Sequence, residues 1–557
     1  MQRDLDAFSG EFDVLVVGAG IHGACIARLA AQAGLRVALI ERGDFGVATS
    51  RNSAKLVHGG LRYIQNFDIP RIRESVVSQR TWFRFAPHLM RPLRFVMPTY
   101  GFGTRSPLAL GGGMLAYHLS AIGRNSGIPQ SIRLPGSGVM TRGRLVGLHP
   151  LLQRKDVTGG AFWYDGQMHD AVRVTLECIW DAVDAGAVAA NHLGAESLLH
   201  DAGGVRGVVA RDQITGREVE VRAKVTLNAT GPWVDEFLAR GPAALRGVRI
   251  TAWTRNINLV TRALYPGEDA LGIASRRPAG AAIGQPKRLF FTSPWHGCTV
   301  VGTTHDLHES PADELSAPSD VIETFVGEVN AAAPGLGLEL DDIRAVHIGL
   351  TPTEDSETNR AKRSIVIDHA ETQGVDGLIS VAGIKYTTAP LVAGRVVRQV
   401  CRKLGRPVTL PSFSEPAGGA PVLAADADGC SGFGAGDEHG WASMVYGSRA
   451  LTCLGDVSSG CLGNDEVFRR RVKFGIEQEM VVRLSDAVLR ATDWAERGLL
   501  SADLLEWCAD HMAKSLGWSA ERMAAESTDT LRLLERFRMG VRTAPVTSGT
   551  SADRVVA

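Results

Sequence analysis

Asp13-Val14-Leu15-Val16-Val17-Gly18-Ala19-Gly20-Ile21-His22-Gly23 begins as a short apolar, β-branched run and ends in three spaced glycines. The apolar run reads as a buried parallel strand. The alanine-rich segment that follows, to Ala33, reads as a helix. Gly18 allows the tight turn, Gly20 leaves room for a pyrophosphate against the backbone, and Gly23 lets helix and strand pack closely. Phosphates would then sit over the free N–H groups at the helix N-terminus. A second strand, 36–40, ends at Glu41, where a carboxylate can accept hydrogen bonds from a ribose; Arg42 beside it is assigned to the same site. Strand, turn, helix, strand and acid together make a dinucleotide-binding unit, although the motif does not separate FAD from NAD.

The next stretch separates them. Thr49-Ser50-Arg51-Asn52-Ser53-Ala54-Lys55-Leu56-Val57-His58-Gly59-Gly60-Leu61-Arg62-Tyr63 resembles the signature of FAD-dependent glycerol-3-phosphate dehydrogenases, within the D-amino-acid-oxidase-like flavoproteins. The resemblance continues through Ala86-Pro87-His88-Leu89, Asn228-Ala229-Thr230-Gly231-Pro232-Trp233, Val301-Gly302-Thr303-Thr304-His305-Asp306 and Gly383-Ile384-Lys385-Tyr386-Thr387-Thr388, and runs to about residue 537. It implies an α/β FAD-binding Rossmann-like domain with an inserted antiparallel-sheet substrate domain and a C-terminal all-α domain. It also implies oxidation of sn-glycerol 3-phosphate to dihydroxyacetone phosphate, with electrons passing from FAD to quinone or another acceptor. Thr49, Ser50, Ser53, Gly59, Gly60, Ala229, Gly231, Gly383, Lys385 and Thr387 are the further cofactor contacts it implies.

Composition bounds the rest. A chain of 557 residues is long enough for two or three domains, and its 45% apolar and 22% charged residues suit a large globular core. Lys plus Arg and Asp plus Glu both number 60, so no global field favours nucleic acid. The eight cysteines are scattered without metal-ligand spacing, so no metal is expected and the thiols read as buried or inert. No charged leader followed by an apolar run precedes the first strand, which makes the cytoplasm the expected compartment.

Domain organisation follows from periodicity and punctuation. Residues 1–410 read as the oxidoreductase region, with FAD-binding segments near 11–85, 160–235 and 360–405 and substrate or cap segments between. Residues 69–85 read as a helix, 87–124 as less regular, and the strand-like runs near 256–261, 288–292 and 299–302 as an antiparallel sheet. The Pro- and Gly-rich stretch 411–440 reads as a linker, 441–540 as a helical domain and 541–557 as a disordered tail. On this division a chain cut after Pro411 keeps its cofactor. Residues 106–123 are mostly apolar and flanked by Arg91, Arg94, Arg105 and Arg124, so they suit either a buried cap or a peripheral contact with the inner face of a membrane. A homodimer is left open.

The chemistry belongs to a few side chains. Lys385, after Gly383-Ile384 and before a helix, suits an anionic reduced flavin or a substrate oxygen. His58 suits proton transfer or substrate orientation, with a structural hydrogen bond as the alternative. Arg62 and Tyr63 match the resembled family's phosphate-side pair and Arg363 another of its cations; bidentate arginine suits a phosphorylated polyol. Two departures stand against these. Gly349-Leu350-Thr351-Pro352 carries threonine where the family has an active-site arginine, and Trp253-Thr254-Arg255-Asn256-Ile257-Asn258 lacks the family's histidine. The alternative substrates are therefore a different polyol phosphate, a hydroxy acid or an amine. A flavin-binding protein without turnover is the third reading.

Overall fold

The computed structural model describes residues 1–66, 68–100, 107–154, 156–278, 287–353, 363–420, 437–455 and 462–542. Within these, the side chains of residues 62, 65, 66, 107–110, 276–278, 287 and 288 lie outside the description.

Val14 to Val17 are almost wholly shielded from solvent, as an apolar strand covered on both faces must be. Their strand, Glu11–Val17, lies inside a sheet ordered Ile365–Asp368, Leu378–Ala382, Glu218–Asn228, Glu11–Val17, Val37–Ile40, Val188–Ala190. These neighbours run parallel except for the edge strand Ile365–Asp368, which is antiparallel to Leu378–Ala382. The strands Leu193–Asp201 and Gly204–Asp212 form an antiparallel extension onto Glu218–Asn228. Helices Ile21–Gln32, Ala171–Asp184 and Ala389–Lys403 supply the apolar side of the same core. Three segments distant in sequence thus make one dinucleotide sheet.

A second, mixed sheet stands beside it. Its described order is Asp306–His308, Ala252–Arg262, Cys298–Gly302, Lys287–Trp295, Ala270–Pro278, Met90–Tyr100, Val157–Met168, Leu56–Val57, with Ile343–Thr353 on Ala252–Arg262 and Gly138–Thr141 on Val157–Met168. The antiparallel expectation needs one correction: Ala270–Pro278 and Met90–Tyr100 run parallel. A second correction concerns 87–124, which holds the eleven-residue strand Met90–Tyr100 and the helix Pro107–Ser120. Proline normally argues against an interior strand because it lacks a ladder donor. Here Pro92 stands opposite Gly166 and Pro98 opposite Gly160, so each ring faces a residue without a side chain.

The C-terminal part is helical, with Asn464–Gln478, Ala502–Leu516 and Ala520–Arg536 its longest helices. The described start of the stretch 411–440 packs against the dinucleotide core. Phe413 and Ala417 are buried in the core shared with the dinucleotide sheet, as are Trp441, Val445, Tyr446, Val467 and Phe474. Arg28 from the first helix donates to the carbonyls of Phe413 and Glu415 and lies over the Phe413 ring. Residues 421–436 and 543–557, the rest of the expected linker and nearly all of the expected tail, lie outside the described residues.

Candidate active site

The turn after Glu11–Val17 opens onto a cavity of about 1480 Å³, larger than the usual pocket for one small ligand. Gly18 has φ +101°, and a side chain there would meet the Ala229 carbonyl at 2.5 Å. Gly23 does not reach the cavity. It lies beneath the turn, where a Cβ would fall 1.8 Å from the Gly18 carbonyl oxygen. Gly20 has only Ser50 Oγ near its missing Cβ, at 3.3 Å. The ground over the helix N-terminus is therefore open, as a bound pyrophosphate requires. Ser50 Oγ meanwhile accepts from the Ile21 N–H at 2.9 Å.

Glu41 lines the cavity with one oxygen on the Ala19 N–H at 2.7 Å and the other on the Gly43 N–H at 2.9 Å. Burial raises its pKa, and the two N–H groups oppose that shift. Arg42 is exposed at the rim, where it grips both oxygens of Asp313 and lies over the Trp233 ring at 4.8 Å. Trp233 Nε1 donates to the same carboxylate at 2.9 Å. Ala229 and Gly231 line the wall between. Thr49 Oγ1 donates to the Leu350 carbonyl and accepts from its N–H, tying the glycine-rich segment to the second sheet. Ser53 Oγ accepts from the Lys55 N–H.

The remaining polar groups gather along the same cavity. Lys385 Nζ donates to the Tyr63 hydroxyl and lies 4.4 Å from the Tyr63 ring centroid. The Arg71 guanidinium is 5.6 Å from that ring on the cavity wall. The His58 N–H donates to Thr387 Oγ1 at 3.3 Å, joining the two glycine-rich loops. Gly60 and Gly383 line the wall, whereas Gly59 turns its N–H to Asp165 at 2.6 Å.

Asp165 escaped sequence reasoning and organises this end. Its carboxylate is buried and accepts from Gly59 N–H, Gln79 Nε2, Trp163 Nε1 and His58 Nδ1. A carboxylate can only accept, so His58 holds its proton on Nδ1 and keeps Nε2 for another partner. The lone signal in sequence was an acid closing the aromatic run Phe162-Trp163-Tyr164-Asp165. Phe95, Trp163 and Phe291 form an aromatic wall, with Phe95 and Trp163 stacked at 5.3 Å.

One predicted cation is not brought in. Arg363 is exposed and is absent from the described cavity lining, although its neighbour Ser364 accepts from the Ile384 N–H at 3.3 Å. The Arg62 side chain lies outside the described residues. Thr351 does line the cavity, with Oγ1 accepting from Asn256 Nδ2 at 2.9 Å. Asn256 Oδ1 is hydrogen-bonded in turn to His305 Nδ1. Asn258 also lines the cavity, its Nδ2 on the Asn52 carbonyl at 3.3 Å. Arg255 is no substitute for the missing arginine, because it turns to the Ser316 carbonyl and Asp306.

Comparison with known proteins fits this geometry. The chain resembles a glycerol-3-phosphate dehydrogenase of Synechocystis sp., 29% identical over 549 residues that cover 92% of this chain and 94% of that protein. It also resembles the aerobic glycerol-3-phosphate dehydrogenase of Bacillus subtilis, 29% identical over 408 residues, 72% of this chain and 70% of that one. Among solved structures, a glycerol-3-phosphate dehydrogenase from Bacillus halodurans complexed with FAD superposes with a TM-score of 0.72 at 23% identity, over 98% of both chains, and so shares the fold. The family model for FAD dependent oxidoreductase (DAO) matches residues 13–399, from the first strand through the helix after Lys385. With the open turn at Gly20 and the acid at Glu41 where that cofactor needs them, the chain belongs to the DAO family of FAD dependent oxidoreductases.

Proposed function

We propose that this flavoenzyme oxidises sn-glycerol 3-phosphate to dihydroxyacetone phosphate and passes the electrons to quinone or another acceptor. The observation that carries the proposal is a single cavity joining the dinucleotide turn to the Lys385–Tyr63 pair and the Asp165-held His58. FAD, when bound, supplies the two-electron acceptor. Gly18, Gly20, Glu41, Arg42, Thr49, Ser50, Ser53, Gly60, Ala229, Gly231, Gly383 and Thr387 are the residues that would hold it.

The chain's own groups divide the remaining work. The Lys385 ammonium, with Arg71 close by, attracts a phosphorylated substrate or holds its oxygen. His58 Nε2 takes the proton of the substrate hydroxyl while Nδ1–H stays on Asp165. The Phe95–Trp163–Phe291 wall keeps water from the reacting carbon. Arg62 belongs to the same anion site in this proposal by resemblance alone, whereas Arg363, exposed and outside the cavity lining, is left out of it. Anaerobic mixing of the protein with glycerol 3-phosphate tests it: bleaching of the flavin's visible absorbance is expected, and a flavin-loaded protein that stays yellow rejects the substrate.

A second reading has a specific observation behind it. Neutral Thr351 lines the cavity where the resembled family carries an arginine, beside Asn256 and Asn258 of the segment that lacks the family's histidine, which favours a different polyol phosphate, a hydroxy acid or an amine. Bleaching by one of these and not by glycerol 3-phosphate selects it; bleaching by none selects a binding protein without turnover.

Peripheral membrane attachment is the finer part of the proposal. Helix Pro107–Ser120 closes the cavity with Gly112, Gly113, Met114 and Ala116 and presents Leu115 and Leu119 outward, 63% and 59% exposed, beside Ile122 at 67%. Of the flanking arginines, Arg91 and Arg94 bond Glu268 and Asp269, and Arg124 is buried on backbone carbonyls; Arg105 lies outside the described residues. Attachment would therefore rest on apolar contact more than charge. Among the described residues no helix is long and apolar enough to cross a membrane. Flotation with neutral liposomes is expected, and its absence in wild-type protein rejects attachment.

A further inference from the structure

Thr351 leaves strand Ile343–Thr353 without the arginine that the resembled family places there, yet a phosphate is best held by a guanidinium fork. The described cavity lining contains three arginines, Arg42, Arg71 and Arg240. Arg42 is committed to Asp313 at the Glu41 end, and Arg240 donates to the Ala195 carbonyl. Arg71 stands apart from them, against the Tyr63 ring that Lys385 Nζ also meets. It is the third residue of helix Ile69–Phe85. Arg73 and Arg80 of that helix turn the other way and donate to the carbonyls of Ser120, Ile122 and Gly123.

Asp68 sets the direction of the Arg71 side chain. One of its carboxylate oxygens accepts from the Arg71 backbone N–H at 3.3 Å, capping the helix, and the other faces Nε at 3.1 Å. A guanidinium held at Nε keeps its two terminal nitrogens, with four of the five N–H groups, for another partner. Neither terminal nitrogen makes a hydrogen bond among the described residues. The side chain is 23% exposed, so a ligand in the cavity has access to it. An ion pair three residues apart contributes little on an open surface. This one stands on a cavity wall, beside a second cation that lies on the same aromatic ring.

We infer that Arg71 is a substrate-binding residue that grips the substrate's phosphate with its two terminal nitrogens and supplies the guanidinium absent at Thr351. This rests on the glycerol 3-phosphate reading and deepens it, by moving the arginine of the anion site from strand Ile343–Thr353 to the start of helix Ile69–Phe85. The planar fork takes two phosphate oxygens at once, whereas Lys385 offers a point charge. A substrate without phosphate gains nothing from the fork, so Arg71 sets the preference for a phosphorylated polyol. Loss of one charged hydrogen bond corresponds to roughly a ten- to hundredfold change in affinity.

Two measurements on FAD-loaded holoprotein test the inference. In steady-state kinetics with glycerol 3-phosphate and an artificial acceptor, Arg71→Gln is expected to raise KM about ten- to a hundredfold, with kcat changed far less. Calorimetric titration with inorganic phosphate needs no turnover, and the same variant is expected to bind it about tenfold more weakly. Arg71→Lys, which keeps the charge and loses the fork, is expected to recover only part of either loss. Flavin-loaded Arg71→Gln with the KM and phosphate affinity of wild type overturns the inference while leaving glycerol 3-phosphate as the substrate. Wild type that glycerol 3-phosphate does not reduce rejects that substrate, and the phosphate titration then decides Arg71 by itself. Weaker binding by Arg71→Gln upholds the phosphate contact; equal binding, or none by wild type, overturns it. Should Arg71→Gln fail to fold, Arg71→Lys carries both comparisons.

Discussion

Asp165 accepts from four donors at once, and a carboxamide cannot. Asp165→Asn would set an N–H₂ against at least one of these N–H groups and release His58 from its fixed tautomer. The expected result is a fall in turnover of roughly a hundredfold, within the range for general acid–base groups, with flavin content retained and the pH–rate profile displaced. Unchanged steady-state rates and profile would leave His58 without a proton-transfer role. Thr351 makes the converse case, where a charge is added. Its Oγ1 bonds Asn256 on the cavity wall, so Thr351→Arg directs a guanidinium into space that already attracts anions through Lys385. Kinetics with glycerol 3-phosphate should show kcat/KM raised about tenfold, the worth of one charged hydrogen bond. A lower value would mean an unpaired charge in a pocket built for a less anionic substrate. At this scale the sequence revealed residues whose spacing is itself the mechanism, such as Gly18, Gly20 and Glu41. Asp165, Asn256 and His305 were hidden because each reaches the cavity from a strand or loop whose register only the folded sheet sets.

Among elements, the first strand–turn–helix separates two kinds of glycine. Gly23→Ala drives a methyl into the Gly18 carbonyl, an atom of the backbone that cannot move aside cheaply; thermal unfolding should show the fold itself weakened. Gly20→Val meets only Ser50 Oγ and the open ground of the phosphates, so folded but colourless protein is expected on purification. A Gly20→Val protein with full flavin content would move the pyrophosphate elsewhere. Helix 69–85 was legible to the residue, since its apolar period is regular and Asp68 caps it through the Arg71 N–H. Strand Met90–Tyr100 was not, because its two prolines are acceptable only opposite Gly166 and Gly160, partners 74 and 62 residues away. Composition alone cannot report such a compensation.

Across the whole molecule, the C-terminal helices close over the cofactor region, and buried charge marks the seam. Lys55, in the glycine-rich segment, is 3.0 Å from Glu496, which also faces Arg51 at 3.5 Å and His347 at 3.3 Å. Arg173 pairs with Glu479, and Arg490 with Asp44. A chain cut after Pro411 would leave Lys55, Arg51 and Arg173 buried or newly bared without these anions, so the truncation expected from composition to keep flavin is now expected to lose solubility or cofactor. Glu496→Gln isolates the same effect in a full-length chain. Lys55 and the neighbouring cations hold the Glu496 carboxyl well below its ordinary value of 4.5, against the opposing effect of burial. A carboxyl depressed on folding stabilises the fold above its unfolded pKa, and the contribution fades as pH falls through the folded one. At pH 7 the substitution should therefore cost about 3–5 kcal/mol, as breaking a buried pair does, and appear as a lowered melting temperature with earlier loss of flavin. Below about pH 4.5 wild type should approach the variant, because the unfolded wild-type chain then binds a proton at Glu496 that the folded chain does not, and the variant has no such group. Melting curves of both proteins across pH 3.5 to 7 check the sign, and a gap between them that widens on acidification would rule out Glu496 as the anion holding this seam.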